Sequence, residues 1–277
     1  MDQILFFEIV TENRIRVLNG GELKEYETQE YLNGDLKSVT NNFLMVITPF
    51  CIANSYVLKI IDHILTNTKI LGVAIFFPST LSSFCFETHT ILFLTVNMVH
   101  KDEIKEEELS FTDNVTSPVH TQELIKKKIE SENKVNCNVE IIINTSFSPT
   151  YSQNVSGNLN EVVHDVFSLI NRIEDKKNLA SNIYIRSRSE DLKILFQERL
   201  AMDLCVGESY GNNQIKYLKY LKIPSYIKEA SVVFESVRED PVLIGACLAA
   251  KIKFIDGQEY TRREDFFSKD YKDLTIH

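Results

Sequence analysis

Apolar runs and amphipathic stretches alternate along this chain. Ile4 to Val10 (ILFFEIV) is almost wholly apolar, TEN turns the chain, and Arg14 to Leu18 (RIRVL) alternates until Gly20 and Gly21. That pattern predicts a hairpin. A polar stretch runs to Thr40, and Asn42 to Ile47 is the next expected strand, stopped by Pro49. Asn54 suits the N-cap of a helix in which Val57, Leu58, Ile61, Ile64 and Leu65 recur at helical spacing, leaving Lys59, Asp62 and His63 toward water. Ile70 to Phe77 is a further strand ended by Pro78, and a short helix leads to another at Ile91 to Val96. Continuous apolar strands alternating with helices predict an α/β protein with a partly parallel sheet.

From His100 to Asn136 the chain is charged, poor in aromatics and carries Pro118, as expected of a shortened or loosely held segment. Val139 to Asn144 restores strand character. Asn158 with Glu161 resembles a capping box for a helix using Val162, Val163, Val166, Phe167, Ile170 and Ile173. Asn182 to Arg186 reads as a strand, Leu192 to Leu204 and Gln214 to Leu221 as helices, and Ala230 to Glu235 (ASVVFE) as a strand. Asp240 then caps a last helix, with Pro241 at its first position and an apolar run from Val242 to Phe254. No internal repeat or low-complexity tract is visible.

Composition narrows the chemistry. The 277 residues include only 9 glycines, about half of average usage, and no glycine group spells a phosphate-binding loop. A net charge of −9 argues against general nucleic-acid binding, which needs basic surface. The five cysteines lie far apart with no C-x-x-C pair, so a zinc ribbon or redox motif is not expected. The six histidines show no metal-ligand spacing, and no G-x-S-x-G marks a nucleophile. The start lacks a signal peptide's basic region, and no apolar run reaches membrane-spanning length. A cytosolic or nuclear location is expected, which makes the sequons at Asn114, Asn144 and Asn154 chance matches.

Three strings, taken in order, resemble the actin superfamily. Thr48 to Phe86 is similar to the strand, helix, strand and P-x-x-L helix that close the first lobe. Phe147 to Ile185 is similar to the stretch in which an F-x-P turn precedes two helices and the adenosine-side strand. Asp240 to Phe266 resembles the C-terminal helix and the segment after it. The resemblance covers about two thirds of the chain and implies an actin-like (RNase H-like) two-lobe fold. Residues 1–87 with 235–277 would form the first lobe, and 88–234 the second with a shortened segment at 103–136.

Departures from the family pattern shape what this implies. Actin-family proteins hold ATP between two hairpin loops whose glycine amides cradle phosphates and whose aspartates serve a metal. Glu8 stands at the first aspartate, with Val10 and Glu12 at glycines. Thr95 stands at the second aspartate, with Asn97 and Val99 at glycines. Ser187 and Arg188 occupy the paired glycines of the adenosine side. Pro78 and Asp102 fall where the family keeps its water-positioning glutamine and histidine, and Leu243 replaces a tryptophan, although Gly245 is kept. Side chains at the glycine positions block close approach, and Glu12 repels phosphate. Hydrolysis, a bound metal and a nucleotide cofactor are therefore not expected.

The chain between Gly21 and Thr40, and between Asp102 and Val139, is too short for the outer subdomains of actin. Self-polymerisation is not expected. The resemblance instead implies a non-catalytic actin-related subunit, most like the short pointed-end actin-related proteins of dynactin. Its partners would be the terminal actin-like filament subunit and neighbouring pointed-end subunits, in the cytoplasm and cytoskeleton, in support of dynein-based microtubule transport. Neither direct nucleic-acid contact nor a membrane is implied. The alternative is a nuclear actin-related subunit of a chromatin remodeller, and a third is a residual kinase-like enzyme of the superfamily. The aromatics Tyr260, Phe266, Phe267 and Tyr271 are the interface candidates.

Overall fold

The computed structural model describes residues 3–49, 51–86, 88, 90–99, 134–143, 149–206, 218–256 and 260–268. Two compact units result, one of Met1–His89, Ile142–Thr150 and Lys222–His277, the other of Thr90–Ile141 and Tyr151–Leu221. The class is mixed α/β, with helices around two sheets.

In the first unit, strands β1 (Ile4–Ile9), β2 (Arg14–Asn19) and β3 (Glu22–Glu27) form an antiparallel meander. Helix α1 (Thr28–Asn33) leads to β4 (Phe43–Ile47), parallel to β1. Helix α2 (Asn54–Asn67) then leads to β5 (Gly72–Phe76), parallel to β4. Gly20 and Gly21, with φ of 56° and 85°, make the two-residue β2–β3 turn, a backbone form that β-branched residues resist. One sheet face buries Leu5, Phe7, Leu44, Val46, Val73 and Ile75 in a core shared with Tyr31, Ile61, Ile64 and Leu65.

Two more helices of this unit meet closely: α3 (Pro78–Ser83) and a later one, Pro241–Ala250. Gly245 permits it, because a Cβ there would lie 1.8 Å from the Leu81 carbonyl oxygen.

The second unit repeats the scheme. Strands β6 (Thr90–Val99), β7 (Lys134–Ile143) and β8 (Tyr151–Gly157) are sheet neighbours in sequence order. Helices α4 (Leu159–Arg172) and α5 (Lys176–Ala180) follow, and β9 (Ile183–Ser187) lies parallel to β6. After α6 (Glu190–Val206) the chain returns alongside β9, where Tyr220 bridges Ile183 in parallel. Three sequential strands, one or two helices and a fourth strand parallel to the first thus occur twice, a repeat of topology with no counterpart in sequence.

The remaining elements belong to the first unit: α7 (Ser225–Lys228), α8 (Pro241–Ala250), β10 (Thr261–Arg262) and α9 (Arg263–Ser268). Strand β10 pairs antiparallel with β5 at the sheet edge.

Several expectations need correction. The polar stretch before Thr40 holds β3 and α1, and the charged segment ends at Lys134, where β7 begins. Asn54 is the first helical residue of α2; the N-cap is Ala53, without a side-chain bond. Asp62 and His63 are half-buried, and His63 Nε2 lies 3.3 Å from the Leu32 carbonyl.

The described part of the expected helix over Gln214 to Leu221 is extended, because Leu221 N and Lys219 O bond Ile183. Ala230 to Glu235 is no strand. Its apolar side chains serve as anchors in a turn, with Val233 buried and the Phe234 ring against Gly21. Helix α8, expected to run on to Phe254, stops at Ala250 and widens into a π-helical turn over Lys251–Asp256.

Candidate functional site

The positions that the resemblance assigns to a nucleotide fall in both units, and each is best read within its own sheet. In the first unit Glu8 sits near the end of β1, only 3% exposed. Its row on β1 also holds Ile4 and Phe6, so the carboxylate ends an apolar face. Register places Arg16 of β2 directly opposite. Arg16 Nε donates to Glu8 Oε2 at 2.8 Å, and Nη2 donates to the same oxygen and, at 2.7 Å, to Asp240 Oδ2.

Asp240 has a second task. Its Oδ1 accepts from Val242 N at 3.0 Å and Leu243 N at 3.4 Å, capping α8 as its Asp-Pro start foretells. One guanidinium therefore joins the β1–β2 hairpin to the start of α8. Burial alone works against a charged Arg16, but Glu8 and Asp240 outweigh it and raise its pKa, so it stays a cation. A carboxylate committed to such a pair is poorly suited to bind a second cation.

The turn beyond Glu8 closes without glycine. Val10 N and Thr11 N bond the Arg14 carbonyl at 3.0 and 3.1 Å, and Tyr56 Oη donates to the Glu12 carbonyl. Val10 is half-buried and Glu12 exposed.

In the second unit Thr95 pairs with Arg186 and Val96 with Ser187 across β6 and β9. Thr95 Oγ1 is shielded from solvent and makes no hydrogen bond among the described residues. Asn97 is half-buried, Val99 exposed, Ser187 half-buried and Arg188 exposed. A hydroxyl at position 95 supplies no negative charge for a divalent metal. The residues present do not fit the nucleotide and metal that the family holds. Among the described residues, no group of three or more His, Cys, Asp or Glu is placed to hold a metal ion.

The interface candidates separate sharply. Phe266 is buried at 1% exposure in the first unit's core, and its candidacy as an exposed contact is withdrawn. Tyr260 is half-buried, its ring edge-on to Phe43 at 5.0 Å, while Phe267 is exposed. Tyr271 and Asp102 lie outside the described residues. The Arg16 link escaped the sequence reading, since only alternation across a hairpin hinted at a Glu8 partner. No helix of the described residues is long and apolar enough to cross a membrane.

The sequence matches no protein-family profile and no curated protein.

Proposed function

We propose that this chain is a non-catalytic, actin-related subunit of a larger assembly, with a reduced actin-like two-lobe fold. The Glu8–Arg16–Asp240 link carries this reading. It turns the position where the family keeps a metal-serving aspartate into a structural tie. Two units of like topology also agree with the two lobes that the resemblance implies. The run IGACLAAKIKF followed by TRREDFF favours the pointed end of the actin-like filament of dynactin as the setting, in the cytoplasm.

Affinity purification of the tagged full chain, with mass spectrometry of what accompanies it, tests the assembly. Dynein and dynactin components are expected. Nuclear remodelling ATPases would overturn the dynactin assignment, and filaments formed by the purified chain alone would overturn the capping role. Calorimetry with Mg-ATP should show no binding; micromolar affinity would restore the enzyme reading.

A further inference from the structure

The sheets of the two units end differently. At one edge of the first unit's sheet, β3 carries Glu22, Lys24, Glu25 and Glu27 among its six residues, and at the other β10 is only two residues long. Charge and shortness are means of keeping a sheet edge from pairing with another chain. In the second unit the chain itself returns alongside the β9 edge, where Tyr220 bridges Ile183. Strand β8 (Tyr151–Gly157) has none of these protections. It is the outer strand of its sheet among the described residues, and YSQNVSG holds no charge and no proline, in a chain of which 25% is charged. All seven residues stay in register with β7, from Tyr151 opposite Ile141 to Gly157 opposite Val135, so no bulge turns the edge away.

The two rows of β8 differ in character. Val155 is buried, in the row that also holds Tyr151, Gln153 and Gly157. Ser152, Asn154 and Ser156 form the other row, and of these Asn154 and Ser156 are exposed. A strand added at this edge must bring like rows together, since a slip by one residue sets the polar row against the other. An antiparallel copy of β8 does so when the twofold axis passes through a residue, and fails when it passes between residues. With the axis at Asn154 all seven residues find a partner. Asn154 then lies opposite its own copy, Ser152 opposite Ser156, Gln153 opposite Val155 and Tyr151 opposite Gly157. Amide meets amide and hydroxyl meets hydroxyl, groups that each donate and accept. The bulkiest side chain meets the residue without one. No charge faces its like at this edge, although each chain carries −9.

We propose that β8 is a dimerisation edge whose occupant is β8 of a second copy of this chain, antiparallel about Asn154. The contact rests on the second unit's sheet alone and holds whether or not the chain is actin-related. It is isologous and closes at two chains, so it differs from the filament formation that would overturn the capping role. A single strand pair is a small contact, and a concentration-dependent dimer is expected.

Light scattering on the full chain, eluted from a sizing column at rising concentration, should show one chain giving way to two. Asn154→Lys sets like charges at the axis and should weaken that association about tenfold, with thermal unfolding unchanged. Cysteines read the register, because opposite positions of an antiparallel pair have Cα atoms about 4.5–5.5 Å apart, within disulfide reach. With Cys51→Ser removing an exposed thiol, glutathione disulfide should link Asn154→Cys chains to one another at position 154. It should link Ser152→Cys chains to Ser156→Cys chains, and neither to its own kind, as mapped by mass spectrometry of the joined peptides. A chain that stays single at every concentration, a dimer that Asn154→Lys leaves intact, or Ser152→Cys chains that link to each other would overturn the proposal. A lone monomer in solution whose position 154 cross-links in cells to a different protein would give the edge to that protein and overturn the second copy as its occupant.

Discussion

Glu8 and Arg16 face each other across the β1–β2 hairpin, and the same guanidinium reaches Asp240, 224 residues further along the chain. Glu8's side chain is 4% exposed, against 19% for Arg16 and 18% for Asp240. Removing the cation takes two hydrogen bonds and a countercharge from a carboxylate held almost entirely out of water. Arg16→Ala should cost about 3–5 kcal/mol in urea unfolding. Arg16→Lys keeps the charge but not the fork, and should lose less. The double change Glu8→Leu, Arg16→Met should recover most of the loss, because it removes both desolvated charges together. An Arg16→Ala loss below about 1 kcal/mol would show that the link carries little.

Gly245 makes a second, purely steric claim. With an added Cβ only 1.8 Å from Leu81 O, α3 and α8 must separate before any side chain fits. Gly245→Ala should therefore destabilise by about 3 kcal/mol, the upper part of the range for an overfilled core, although alanine favours the helix itself. A thermal scan that shows no fall in Tm would mean that the two helices part easily.

At the start of α4, Glu161 N donates to Asn158 Oδ1 and Asn158 N to Glu161 Oε2, both at 3.0 Å. Asn158→Ala should cost about 1 kcal/mol, and Asn158→Asp nearly nothing, since aspartate caps as well. Chemical denaturation of both variants checks the pair.

What could be read from the sequence was local. The Asn158 box, the Asp240-Pro241 start and the first hairpin are each written within a few residues, so their signals are local even though packing completes them. Strands β3 and β8 carry mostly polar residues at sheet edges, where a partner rather than periodicity decides. ASVVFE has strand composition but uses Val233 and Phe234 as anchors in a turn, with Ser236 Oγ donating to Gly21 O at 2.8 Å. Phe266 and Phe267 are adjacent and chemically identical, yet one is core and the other surface. Only the seat of α9 against β5 separates them. For the candidate site, the type of residue at position 8 was legible, and its Arg16 and Asp240 partners were not.

Thiols supply the last prediction, because burial sorts them. Cys51 is exposed, while Cys85, Cys137 and Cys247 are buried. Burial, reinforced by the Asp240 carboxylate and offset by a Gly245 backbone bond, pushes the Cys85 thiol up to about 12 from an ordinary 9.0. Burial pushes Cys247 to about 11, and it also raises Cys137. An acid with a raised pKa holds more protons folded than unfolded between its two values. Its stabilisation is complete below the unfolded value and is lost as pH climbs through the folded one. Unfolding free energy should thus decline from about pH 9 toward 12, and Cys85→Ser with Cys247→Ala should flatten that decline. At pH 8 a disulfide reagent should modify Cys51 promptly and the three buried thiols only on unfolding. Prompt modification of Cys85 or Cys247 would mean that the α3–α8 contact opens in the native state.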